Sequence, residues 1–141
     1  MAYSTRAIHG TLYHYIRMYD DWGLPDAIAM FRELAATYPS LSGNHIICDV
    51  RDGRVTLSLS EVFELVDVFR RHIATFAGMR WVVLVPGILE YGIAHSCGMM
   101  AAGQVPFDFS VTLNPDIACT WAGIPIDALE QWRAESRACA A

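Results

Sequence analysis

The side chains best suited by type to do chemistry fall in a few short runs. His95-Ser96-Cys97-Gly98 sets an imidazole, a hydroxyl and a thiol close together. On a helix, residues two apart point in different directions, so His95 and Cys97 do not meet. Cys97 also falls on an apolar stripe, where a thiol is packing rather than a nucleophile. Asp49, Arg51, Asp52 and Arg54 cluster where an apolar strand should end. Open α/β sheets bind ligands beyond the carboxyl ends of their strands, so this is the best candidate for a ligand- or partner-binding site. Its candidate residues are Asp49, Arg51 and Asp52, with Ser58 and Ser60 as the nearest hydroxyls. The competing reading is a solvated loop whose charges pair with each other and contribute little. Arg70-Arg71-His72 could meet an anion, although a solvated helix face explains it as well. Glu90 beside Tyr91 suits the positive end of a helix.

Other chemistries are excluded by composition. All ten basic residues are Arg, so there is no Schiff-base, P-loop or kinase-type lysine. The four cysteines form no C-x-x-C pair, and no His stands at zinc-site spacing from two of them. No phosphate-cradling glycine loop or pair of catalytic carboxylates emerges, so no cofactor, no metal and no enzymatic activity is expected. A net charge of -5 without a basic stripe argues against nucleic acid. The apolar stretch Trp81 to Gly103 is broken by Pro86-Gly87 and contains Glu90 and His95, which favours strand, turn and helix over a membrane span. The N-terminus has no secretory signature, so the expected location is cytoplasmic and reducing.

The candidate site is positioned by one unit. His45 to Val50 is a nearly continuous apolar run that suits a strand covered on both faces. Arg51 to Thr56 reads as a polar loop. Ser58 and Glu61 then have capping-box spacing, and Leu57 and Val62 sit where a hydrophobic staple needs them. Val62, Leu65, Val66, Phe69, Ile73 and Phe76 recur as one helical stripe. Before this unit, Tyr3 to Ile8 and Thr11 to Tyr19 flank His9-Gly10 as a β-hairpin. The Tyr13, Tyr15, Arg17 and Tyr19 face of its second strand is read as half exposed or as carrying a partner. Asp20 to Gly23 is a loop, and Pro25 and Asp26 open a helix that ends at Tyr38-Pro39.

After the unit, Arg80 to Val85 is a second apolar strand. A helix over about Ile88 to Ala102 follows, with Leu89, Ile93, Cys97 and Met100 on one face and small residues for close approach. Phe107 to Leu113 is a strand, Asn114 caps a short helix ending at Gly123, and Pro125 opens a terminal helix through Trp132 that frays after Ser136. The order ββαβαβαβα describes an α/β fold: a mixed, mostly parallel sheet with an N-terminal hairpin and helices packed on it. Residues 1–123 form one domain, and 124–141 are a helical extension packed on it or fraying from it.

Four stretches carry a family resemblance: Cys48-Asp49-Val50-Arg51-Asp52 as an Asp-x-Arg strand end, Leu57 to Glu61 as the next helix start, Tyr91-Gly92-Ile93-Ala94 as a Tyr-Gly-x-Ala element, and Ala118 to Gly123 as an Ala-x-x-Trp-Leu-Gly ending with Ala122 in place of Leu. Over Tyr3 to Gly123 the chain resembles the bacterial STAS-like domains (SpoIIAA-like, anti-anti-sigma-factor-like), which are related in fold to CRAL-TRIO lipid-binding domains. The resemblance implies a non-enzymatic regulatory module acting through a protein partner or as a homodimer. The alternative it implies is a domain for a small apolar molecule or lipid, with the Trp22, Trp81 and Trp121 aromatics lining a pocket. A thiol-dependent enzyme is a distant third. The family's phosphorylated Asp-Ser-Ser-Gly-like loop is absent, and Ser58 and Ser60 are read as capping hydroxyls before phosphate acceptors.

Overall fold

A computed structural model of the chain describes residues 3–7 and 12–140. Its strands are β1 (Tyr3–Ala7), β2 (Tyr13–Trp22), β3 (His45–Val55), β4 (Arg80–Leu84) and β5 (Asp108–Thr112). Its helices are α1 (Leu24–Thr37), α2 (Leu59–Arg71), α3 (Ile73–Phe76), α4 (Ile88–Ala102), α5 (Pro115–Ala122) and α6 (Ile126–Ala140). The expected hairpin turn at His9-Gly10 lies outside the described residues. The strands on either side of it pair antiparallel, from Tyr3 opposite Met18 to Ala7 opposite His14.

The five strands stand side by side in chain order, and β2 to β5 run parallel. Each parallel step needs a right-handed crossover, and steps taken in one direction put every crossover helix on the same face. α1, α2 and α4 accordingly share one core with Ile16, Met18, Ile46, Cys48, Val50, Trp81 and Val83. No crossover can cover the opposite face. That face is closed by the helices after the last strand, where Ala118, Cys119, Ala122 and Leu129 of α5 and α6 bury Tyr15, Ile47, Val82 and Leu84. The Tyr face of β2 is therefore covered by this chain itself. Tyr13 donates its hydroxyl to the Ala122 carbonyl at 2.6 Å, and the rings of Tyr13 and Tyr15 lie 6.2 and 6.1 Å from Trp132.

Local signals set the helix starts. Ser58 Oγ accepts from the Glu61 N–H at 3.3 Å, and Glu61 returns a carboxylate oxygen to the Ser58 N–H at 3.0 Å. Such a box is worth about 1 kcal/mol. Asn114 accepts from the N–H groups of Asp116 and Ile117 at the start of α5. Gly98 lets α4 lie on β5: a Cβ there would stand 2.3 Å from the Phe109 ring.

Several boundaries differ from expectation. Arg51 to Val55 and Asp20 to Trp22 are strand, not loop, because β2 and β3 continue to pair as far as Trp22 opposite Val55. The stripe expected through Phe76 breaks at His72, whose ψ of 39° ends α2. Phe76 stays buried after the break while Ile73 turns to solvent. On α4, Leu89 is exposed, and the buried residues are Cys97, Gly98 and Ala101. α6 continues well past Trp132. Among the described residues, no helix is long and apolar enough to cross a membrane.

Candidate functional site

Asp49, Arg51 and Asp52 are brought together by an irregularity in the sheet. Arg17 faces Asp49 across the β2–β3 ladder, yet Tyr19 faces Asp52, so β3 carries one residue more than β2 over this stretch. In a regular strand, residues three apart point to opposite faces. The extra residue turns Asp52 onto the face that already holds Asp49. Both carboxylates thus lie under α6.

Each is engaged there. Asp49 is fully buried and accepts from Tyr15 Oη at 2.7 Å, from Arg51 Nη2 at 2.8 Å, and from Arg51 Nε at 2.9 Å. Arg51 passes on to Glu130 of α6 through Nη1 at 2.8 Å. Asp52 receives Arg17 Nε at 2.9 Å, Arg133 Nη2 at 2.7 Å and the guanidinium of Arg137. Burial pushes the Asp52 carboxyl up, but the hydrogen bonds from Arg133, Arg137 and Arg17 outweigh it and hold it well below the usual range. Burial, reinforced by the Asp49 charge, pushes the Tyr15 phenol far up. The cluster is a clamp between β2, β3 and α6, and its polar atoms are largely spent on one another. Arg17 Nη1 is the exception, buried without a partner.

Ser58 and Ser60 are not part of this cluster. They stand at the start of α2, which packs on the other face of the sheet, and their hydroxyls are 3.1 Å apart. The five residues grouped by sequence thus occupy two separate places. What surrounds the serines is apolar: Leu59, Ile88 and Leu89 are 63%, 79% and 66% exposed, and Phe63 and Met99 are exposed farther along the same helices. Leu57, Leu59, Val62, Ile88, Leu89 and Ile93 line an open groove between the N-terminal turns of α2 and α4.

The remaining candidates are placed apart from both. Cys97 is buried, and burial pushes its thiol up to about 12. A reactive thiol needs the opposite shift. Cys48 is likewise pushed up to about 12 by burial and by the charge of Asp49. His95 stacks on Tyr91 with ring centres 5.7 Å apart rather than approaching Cys97 as a partner. Both thiols border an apolar cavity of about 40 Å³ between the sheet and α1, α2 and α4. Trp22 and Trp81 also border it; the Trp22 indole N–H is buried without an acceptor, and the Trp81 indole N–H faces the Cys48 thiol. Arg70 and Arg71 of the Arg-Arg-His run pair with Asp67. Among the described residues, no group of three or more His, Cys, Asp or Glu side chains could hold a metal ion.

No family model matches the sequence, and no curated protein matches it. Among solved structures, the chain is similar to an uncharacterised protein of the DUF3478 family, with a SpoIIAA-like fold, from Shewanella loihica PV-4. The TM-score is 0.55 at 15% sequence identity, over 86% of this chain and 92% of that one. The fold is SpoIIAA-like.

Within this SpoIIAA-like fold, the four stretches that carried the resemblance take distinct positions. Asp49 to Asp52 form the bulged middle of β3, not its end, Ser58 to Glu61 cap α2, Tyr91 to Ala94 lie on the first half of α4, and Ala118 to Gly123 close α5. Sequence reasoning missed the partners of the clamp: Tyr15, Arg17, Glu130, Arg133 and Arg137. The available signal was Arg133 and Arg137 at one-turn spacing on a terminal helix, a pattern that sets two guanidinium groups on one face.

Proposed function

We propose that this protein is a non-enzymatic regulatory module of the cytoplasm that acts by contact with another protein, through the α2–α4 face beside Ser58 and Ser60. One observation carries the reading. Leu59, Phe63, Ile88, Leu89 and Met99 are all exposed on two neighbouring helices whose other apolar residues are buried or half-buried. Single exposed apolar side chains are ordinary, but a contiguous set of them marks an interaction surface. The polar cluster at Asp49 and Asp52 serves the fold, and this face is more exposed than the second apolar set, Leu113, Ile117, Trp121 and Ile126 around α5. Four free cysteines suit a reducing compartment.

The test is a paired purification from the native host. The unmodified protein should retain one stoichiometric partner, and Ile88→Ser/Leu89→Ser should lose it while keeping its melting temperature. A partner kept by that variant but lost on Arg137→Ala would move the function to the α6 side.

A second reading is binding of a small apolar molecule in the cavity bordered by Trp22 and Trp81. The unpaired Trp22 indole N–H favours it, since buried donors normally find acceptors. At about 40 Å³ the cavity has room for water-sized occupants, not an acyl chain, so this reading requires α4 to move outward. Native mass spectrometry tests it: a small mass released on denaturation supports it, and a clean apo mass removes it.

A further inference from the structure

We propose that the free edge of β5 takes up an extended segment of another protein, with apolar residues at alternate positions, as an added strand of the sheet. This surface is separate from the α2–α4 face and does not depend on it. β5 is outermost, with β4 on one side and no strand of the described residues on the other. Asp108 donates its N–H to the Met79 carbonyl, and the Thr112 carbonyl accepts from the Val85 N–H. Main-chain groups alternate sides along a strand, so Asp108, Ser110 and Thr112 bond to β4, and Phe109 and Val111 turn their N–H and C=O groups outward. Native sheets guard such an edge with Pro, basic side chains or a bulge. β5 reads Asp-Phe-Ser-Val-Thr, and its register against β4 is unbroken. The opposite edge strand, β1, carries Arg6.

The surroundings of the edge select the occupant. α5 runs back along the sheet from the end of β5 toward the start of β2, where the Ala122 carbonyl meets the Tyr13 hydroxyl. Its Ala118, Cys119 and Ala122 face the sheet, and α6 lies on its β2 side. The right-handed turn of the helix then sets Ile117 and Trp121, one turn apart, on the flank toward the free edge. Both are exposed, as is Leu113 at the end of β5. A strand added beside β5 would bond its main chain to Phe109 and Val111 and lay alternate apolar side chains against this flank. A second copy of this chain cannot supply that strand from its own β5. α4 sits close over β5, with Gly98 against the Phe109 ring. Paired strands stand about 4.8 Å apart, so two copies joined there would bring their α4 helices well inside the distance of about 8–10 Å at which helices pack. The occupant is therefore an extended segment, not the edge of a like domain.

The probe is a fluorescent peptide of alternating Val and Thr, and its control is the same peptide N-methylated at every residue, which cannot donate. Amide exchange of the full chain, followed residue by residue, is the readout. In the free protein the Phe109 and Val111 amides should exchange quickly, and those of Ser110 and Thr112 slowly. The Val/Thr peptide should slow Phe109 and Val111 about tenfold or more and leave Ser110 and Thr112 unchanged. The N-methylated control should bind about tenfold more weakly. Ile117→Ser/Trp121→Ser, which leaves charge unchanged, should weaken the peptide several-fold, and Ile88→Ser/Leu89→Ser should not affect it. Slow exchange of Phe109 and Val111 in the free protein, no slowing by the peptide, or equal binding of the N-methylated control overturns the proposal. So does a concentration-dependent dimer in which the same two amides are protected, since the occupant would then be a second copy. Loss of peptide binding in Ile88→Ser/Leu89→Ser would also overturn it, by placing the peptide on the α2–α4 face.

Discussion

Arg133 grips Asp52 with two hydrogen bonds, Nη2 to Oδ1 at 2.7 Å and Nε to Oδ2 at 3.3 Å, joining α6 to β3 across 81 residues of chain. Asp52 also holds Arg17 and Arg137, so one carboxylate ties together three guanidinium groups from two elements. The exposures of its partners decide what each bond is worth. Arg17 and Asp52 are 9% and 12% exposed in their side chains, whereas Arg137 is 51% exposed. Removing one member of a buried pair strands the other charge, which costs about 3 kcal/mol, while a half-exposed pair contributes about 0–1 kcal/mol. Asp52→Ala should therefore lower the denaturation midpoint by the larger amount, and Arg137→Ala should hardly move it. Hydrogen exchange should quicken throughout α6 in Asp52→Ala. Similar small losses in both variants would mean that the clamp contributes little.

The same carboxylate sets an acid limit on stability. Its folded pKa lies below its unfolded value because of the surrounding guanidinium hydrogen bonds. Its contribution is thus complete above about pH 4 and is lost as pH falls from there toward the folded pKa. Melting temperatures of the unmodified protein and Asp52→Asn should differ most near neutrality and converge below about pH 4. A gap that stays constant down to acid pH would show that the stabilisation does not come from the ionised carboxylate.

Gly98 has no room to become Ala. The added Cβ would stand 2.3 Å from the Phe109 ring, so α4 must lift from β5. Overpacking of this kind costs about 1–3 kcal/mol. Gly98→Ala should lose that much by chemical denaturation, and Gly98→Ala/Phe109→Leu should recover part of it. No recovery in the double variant would place the strain elsewhere.

Thiol accessibility separates packing from chemistry among the four cysteines. Cys48, Cys97 and Cys119 are buried, and Cys139 is exposed. Burial also pushes the Cys48 and Cys97 thiols up to about 12, leaving scarcely any thiolate near neutral pH. Ellman's reagent should label Cys139 quickly in the native protein and the others only on unfolding. Rapid native labelling of Cys97 would revive a thiol-dependent reaction there.

Features written in adjacent residues were legible in the sequence, and features made by pairing were not. The Ser58–Glu61 box and the Asn114 cap each need only a few neighbouring residues, and both were readable from spacing. The strand at His45, the helix at Ile88 and the largely parallel order followed from apolar runs and short connections. The bulge that turns Asp52 beneath α6 depends on how β3 registers against β2, and a single segment carries no trace of it. Arg51 to Val55 looked like a loop because Asp, Gly and Arg have turn chemistry, yet pairing with Asp20, Asp21 and Trp22 holds them extended. Tyr15 and Trp132 are far apart in sequence, so the covering of the Tyr face by α6 was likewise hidden. The candidate site was half visible: its charges were found, but the partners that consume them lie on another strand and a terminal helix.

The central claim is that the α2–α4 face is where this protein meets its partner. The most direct test is photo-crosslinking in the native host with p-benzoylphenylalanine in place of Leu89, and with Gln131 on exposed α6 as the control position. The account predicts one discrete protein adduct from position 89 and none from position 131. Adducts of equal yield at both positions, or none at 89, would contradict it.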